Sequence, residues 1–131
     1  MTFLLDTNIL SEVAKPRPSE RVVAWLGTMS RFAISAVTVG ELFFGLTLKP
    51  KPRLQERIES LLDAFSQVYE VSDAIARHAG ILRGELGRRG RVRDQTDLLI
   101  AATASAHGLT LATRNKRDFD GCGIAVFDPF V

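Results

Sequence analysis

Asp6, Glu41, Asp97 and Asp118 are the residues of this 131-residue chain whose types and spacing could do chemistry. Asp6 ends a short apolar run and is followed by two capping residues, Thr7 and Asn8. Glu41 falls in the first turns of a helix after the run Phe32-Ala33-Ile34-Ser35, and Asp97 in the first turn of a helix opened by Asp94. Asp118 follows a strand ending near Ala112. In a parallel α/β sheet, strand carboxyl ends and the amino ends of the following helices share one edge. The four acids are therefore expected along a common edge. Converging carboxylates repel one another, and without a cation some must take up protons. A hard divalent ion, Mg²⁺ or Mn²⁺, resolves the conflict because it prefers oxygen ligands and keeps several waters. Held this way, it can lower the pKa of a bound water and neutralise charge on a phosphodiester. The implied reaction is metal-assisted phosphodiester hydrolysis.

Each acid also has a structural explanation. Asp is among the best N-cap residues, which would account for Asp6. Thr38 to Glu41 matches a capping box, Asp97 would favour a positive helix end, and Asp118 could cap or solvate the loop ahead of Phe119. Such explanations weaken for the set, because neutral Ser or Thr caps a helix as well.

The elements that must position these acids read as alternating short strands and helices. The hydrophobic run Phe3-Leu4-Leu5, broken by Asp6, describes a strand buried on both faces, the central place in a parallel sheet. A helix from Ile9 to about Ala14 ends at Lys15-Pro16-Arg17-Pro18, and Ser19 caps another carrying Val22, Val23, Trp25 and Leu26. Strand 32–35 leads into helix 37–46, and the charged, proline-broken Lys49-Pro50-Lys51-Pro52-Arg53 forces a turn. Leu54, Ile58, Leu61, Leu62 and Phe65 mark an amphipathic helix. After it come a strand at 68–71, a helix capped by Ser72, and the buried helix opened by Asp94-Gln95-Thr96-Asp97 and running to Ala106. His107-Gly108 ends that helix, Gly supplying the left-handed position. Strands at 109–112 and 124–127 complete the pattern, with a turn or short helix at 113–118 between them. The class is α/β with a mostly parallel sheet, in a single domain over residues 1–131.

Composition sets the boundaries. Hydrophobic content of 46% and charged content of 24% suit an ordinary globular domain. A net charge of +2 means that any nucleic-acid contact must come from local clustering. One cysteine, Cys122, excludes an internal disulfide framework. No apolar stretch approaches the ~20 residues needed to span a bilayer. The amino terminus shows no basic region or cleavage pattern, and the cytoplasm is the expected location.

The residues also carry a resemblance. Leu4-Leu5-Asp6-Thr7-Asn8-Ile9-Leu10-Ser11-Glu12, Ser35 to Leu42, Asp97 to Ala104 and Thr113-Arg114-Asn115 resemble the signature blocks of PIN-domain ribonucleases. Within that family the chain is similar to the VapC toxins of type II toxin–antitoxin systems, most of all to their FitB-type branch, which the closing Ala125 to Phe130 also fits. The resemblance spans nearly the whole chain and implies a three-layer α/β/α sandwich. It further implies an endoribonuclease using Mg²⁺ or Mn²⁺, a homodimer, and a VapB-like antitoxin bound across the catalytic groove. Operator DNA would be met only through the antitoxin. Asp6, Glu41 and Asp97 match the family's acidic positions. Relatives often have an acid where this chain has Asn115, and Asp118 lies three residues later. Thr7, Asn8, Thr113 and Asn115 would be auxiliary polar groups.

Arg88, Arg89, Arg91 and Arg93 precede Asp97, and Arg114 flanks the other acidic loop. These five are the candidate RNA-binding cations; the alternative is a solvated, solubilising loop. His78 reads as a surface residue and Cys122 as inert. No Gly-rich phosphate loop with Lys-Ser or Lys-Thr is present. Two non-nuclease readings stand beside the ribonuclease. A receiver-like domain would need an acceptor Asp after its third strand and a Lys after its fifth, which the chain does not offer in order. A catalytically silent PIN module acting only as a binding partner fits the fold equally well, but would have no reason to keep mutually repelling carboxylates.

Overall fold

A computed structural model describes all residues, 1–131. Its five strands are β1 (Phe3–Leu5), β2 (Phe32–Ser35), β3 (Ser66–Tyr69), β4 (Thr110–Ala112) and β5 (Val126–Phe127). They form one sheet, wholly parallel, in the order β3-β2-β1-β4-β5. The first strand is thus the central one. Leu4 is opposite Ala33 on one side and Leu111 on the other.

Six helices cover the sheet: α1 (Thr7–Val13), α2 (Glu20–Leu26), α3 (Ala36–Leu48), α4 (Pro52–Phe65), α5 (Asp73–Arg88) and α6 (Gln95–Ala106). Because successive strand side chains point to opposite faces, Leu4 and Leu5 enter different cores. Leu4, Ala33 and Leu111 pack with Ile75, Ala79 and Leu86 of α5 and Leu98 and Ala101 of α6. Leu5, Ile34 and Ala112 pack with Ile9 and Leu10 of α1, Leu42 and Leu46 of α3 and Ile58 of α4. The result is the expected three-layer sandwich. No helix is long and apolar enough to cross a membrane.

Several boundaries differ from those expected from the sequence, β4 and β5 starting at Thr110 and Val126 rather than at 109 and 124, and three differ for a local reason. Helix α1 begins at Thr7 rather than Ile9, because the Asp6 carboxylate accepts the Thr7 N–H at 2.8 Å and starts the helix at once. Helix α3 begins at Ala36, capped by Ser35, whose hydroxyl accepts the Val37 N–H at 3.1 Å. Thr38 and Glu41 are consequently not a capping box: Thr38 is buried inside the helix and Glu41 lies a turn later, exposed. Strand β3 starts at Ser66 rather than Val68, pairing Ser66 with Phe32 and Gln67 with Ala33. As an edge strand it carries polar residues that an apolar run does not reveal.

Candidate active site

The Asp6 backbone N–H donates to the Ala112 carbonyl at 2.9 Å, so the β1–β4 ladder continues into the acid itself. Its carboxylate is buried, 7% exposed, and has no cationic partner. Oδ1 accepts from the Thr7 N–H, while Oδ2 accepts from Thr113 Oγ1 at 2.7 Å and Asn8 Nδ2 at 3.2 Å. Burial pushes this carboxyl above its usual range, and the three hydrogen bonds, Thr113 foremost, hold it back.

Thr113 is the hub. Fully buried, it donates to Asp6 and accepts from Asn8 Nδ2 at 3.2 Å and the Asn115 N–H at 3.0 Å. The other end of the Asn8 amide accepts the Arg114 N–H at 3.2 Å. Thr7 Oγ1 donates to Glu41 Oε1 at 2.6 Å and ties α3 to the start of α1. Thr7, Asn8 and Thr113 thus hydrogen-bond to Asp6 or Glu41, whereas Asn115 joins the network only through its backbone.

Asp97, partly exposed in the first turn of α6, is the most perturbed group. Its carboxyl is pushed up to about 6, first by burial and then by the charges of Asp6, Asp118, Asp94 and Glu41. Asp118 is exposed on a single 3-10 turn (Lys116–Phe119), its N–H donating to the Asn115 carbonyl at 3.0 Å. Its charge raises both Asp6 and Asp97. Asp6, Glu41, Asp97 and Asn115 line one open cleft of about 420 Å³, whose lining does not include Asp118.

This donor set suits a hard cation. The cleft offers carboxylate, hydroxyl and amide oxygens, with no histidine or cysteine, which fits Mg²⁺ or Mn²⁺ rather than Zn²⁺. No three acidic, histidine or cysteine side chains stand close enough to enclose one ion by themselves. Mg²⁺ does not need that, since one or two carboxylates and retained waters complete its shell.

The family described as PIN domain matches residues 3–122. This chain belongs to the PIN domain family. Among similar proteins, Toxin FitB of Neisseria gonorrhoeae is 39% identical, covering 98% of each chain. The tRNA(fMet)-specific endonuclease VapC of Shigella flexneri is 33% identical over 94% of this chain and 93% of its own. Solved structures agree: FitAB bound to a DNA fragment contains a chain 36% identical, with a TM-score of 0.88, covering 99% of this chain and 96% of that one. VapBC2 from Rickettsia felis bound to a promoter DNA fragment gives a TM-score of 0.86 at 27% identity, covering 98% of each.

The PIN domain distributes its arginines unevenly. Arg114 lines the cleft, its guanidinium 4.4 Å above the Phe130 ring. Arg93 donates to the Asp120 carbonyl at 3.4 Å, and Arg91 lies against Gly121 so closely that a Cβ there would meet its Nη1 at 2.8 Å. Arg88 and Arg89 border a separate hollow with Glu85. His78 is exposed, and burial pushes the Cys122 thiol up.

Glu12 and Lys15 were not expected from the sequence. Both line the cleft. The buried Glu12 carboxylate accepts from Lys15 Nζ at 3.0 Å and the Ser19 N–H at 2.9 Å, bonds that hold it below the usual carboxylate range. Helical spacing was the available signal: Asn8, Ser11 and Glu12 fall at positions that share one face of α1, and Lys15 follows just past its end.

Proposed function

We propose that this PIN domain is a Mg²⁺- or Mn²⁺-dependent endoribonuclease and the toxin of a type II toxin–antitoxin pair. One observation carries the reading: the buried Asp6 and the partly exposed Asp97 face the same cleft, where burial first and then neighbouring acids raise Asp97. Relatives bearing the names ribonuclease and endonuclease support the substrate class.

Asp6 and Asp97 would hold the ion directly, with Glu41 and Asp118 acting on it through retained waters. Bound there, the ion supplies an activated water and neutralises charge on the scissile phosphate. Thr113, Thr7 and Asn8 fix the Asp6 carboxylate so that no reorientation accompanies the reaction. Thr7 holds Glu41 toward the cleft as a proton acceptor. Arg114 offers its charge to the substrate backbone from the same wall. The pair's second member would be a small VapB-like antitoxin that covers the cleft and carries the contact with operator DNA. Solved FitAB and VapBC2 complexes with DNA support that arrangement. A homodimer in the cytoplasm completes the proposal.

Purified protein should cleave RNA internally with Mn²⁺, stop with EDTA, and be inactive as Asp97→Asn with an unchanged far-UV CD spectrum. Cleavage that persists at the wild-type rate in EDTA or in that variant counts against the site. A folded protein that never cuts RNA in Mn²⁺ leaves the silent PIN module as the answer.

A further inference from the structure

The acid cleft does not end at Glu41. Thr7, Ser11 and Glu41 also line an adjoining hollow of about 200 Å³ that reaches Lys49 and Lys51. Lys51 and Leu54 in turn line a third hollow of about 630 Å³, bordered by Arg53 and Arg57, and Lys15 belongs to both its wall and the acid cleft's. Shared lining residues set these three hollows side by side, as a groove with an anionic end and a cationic end.

Apart from Lys15, the cations at that end make no ion pair. The molecule contains two ion pairs, Lys15–Glu12 and Arg77–Asp73, and neither includes Lys49, Lys51, Arg53 or Arg57. Lys51 and Arg53 also stand at the amino end of α4, which has no side-chain cap. Cations are unfavourable at that end of a helix, whose dipole favours anions. The sequence thus concentrates positive charge where the fold alone is better served without it. Pro50 and Pro52 flank Lys51 and stiffen the connection, so less order is lost when an anion is bound there.

Resting on the ribonuclease reading, we infer that the α3–α4 turn and first turns of α4 form a phosphate track. Lys49, Lys51, Arg53 and Arg57 would hold the backbone of single-stranded RNA on one side of the cut. Adjacency to the acid cleft and charge complementarity to a polyanion favour RNA over an acidic protein. The track is separate from the arginines at 88–93, which do not line the groove.

The test compares the pair Lys51→Gln/Arg57→Gln with Arg21→Gln/Arg83→Gln, which removes the same charge from exposed positions outside the groove. Binding of a labelled single-stranded RNA is measured at several KCl concentrations in the Asp97→Asn background, and cleavage kinetics in the active protein. The groove pair should bind about tenfold more weakly at low salt. Its salt-dependence slope should fall by about 1.4, some 0.7 for each phosphate no longer neutralised. KM should rise with kcat nearly unchanged, and the control pair should behave like wild type. Lys49→Gln/Arg53→Gln repeats the measurement independently, and neither groove pair should lower the melting temperature. Unchanged affinity and slope in both groove pairs overturn the proposal, as does an equal loss in the control pair. Loss of poly-glutamate binding with RNA binding intact overturns it in favour of an acidic protein partner. A wild type that cuts no RNA in Mn²⁺ fails the ribonuclease reading itself, before any groove variant is made.

Discussion

The Asp97 carboxyl is pushed up to about 6, against an ordinary value of 3.8, because the fold buries it and then crowds it with other acids. The folded state therefore binds that proton more tightly than the unfolded chain does. The stabilisation linked to Asp97 is complete below about pH 4 and is lost as the pH rises through about 6. Asp97→Asn removes the repulsion permanently. In EDTA at pH 7.5 it should raise the melting temperature by roughly 3–5 °C, the shift expected for about 1 kcal/mol after allowing for water's access to the group. At pH 4 the gain should vanish; an equal gain at both pH values would refute this account. A second residue-scale question concerns the fourth polar position. Asn115 lines the cleft, while Asp118 lies one 3-10 turn further and acts on Asp6 and Asp97 through its charge. We expect Asp118→Asn to slow cleavage about tenfold, ~1.4 kcal/mol in the barrier, and Asn115→Asp to preserve activity. Full activity in Asp118→Asn with loss in Asn115→Ala would give the role to the amide.

Strand ends and helix starts coincide in this fold. Asp6 and Ser35 each stand at the end of a strand and cap the next helix with no intervening loop. That economy made the acidic edge legible in the sequence: a buried apolar run followed at once by a capping residue marks the carboxyl edge of a parallel sheet. It also hid the start of α3, since Thr38-to-Glu41 spacing imitates a capping box while Ser35 does the capping. Edge strand β3 was legible only in part, because Ser66 and Gln67 join the ladder without apolar character. Glu12 was missed because a lone acid on α1 shows its worth only when the chain folds Ser19 back onto it. The same elements predict what Thr113 does at the end of β4. Thr113→Val removes the donor to Asp6 Oδ2 and should cost about 1–3 kcal/mol at pH 8, the range for a buried acceptor left short of a partner. The loss should shrink at pH 4, where a protonated Asp6 needs the donor less. Urea unfolding in EDTA at the two pH values checks this, and a pH-independent cost would point to packing or to the acceptor lost by Asn8 and Asn115.

At the scale of the whole molecule, the proposed metal site would make the metal-free fold less stable than the loaded one. An ion that binds only the native state stabilises it by mass action. Millimolar Mn²⁺ should raise the melting temperature, more at pH 7.5 than at pH 5 because protons compete for the same carboxylates, and less in Asp6→Asn. Thermal unfolding with and without Mn²⁺ measures this, and no shift at saturating ion would count heavily against the site. The sequence could not disclose the basic groove, because only the completed fold brings the α3–α4 turn beside α1. The bond that fixes Asp6 comes from Thr113, 107 residues away, and β1 finds one of its two sheet neighbours only in β4. Long-range pairing of this kind forms late and slowly, since a large loop must close first. A polypeptide interrupted on the ribosome before residue 110 already contains Asp6, Glu41 and Asp97, yet lacks the strand and hydroxyl that seat the first of them. Such truncated products are expected to lack an assembled cleft, so that cleavage should come only from finished molecules.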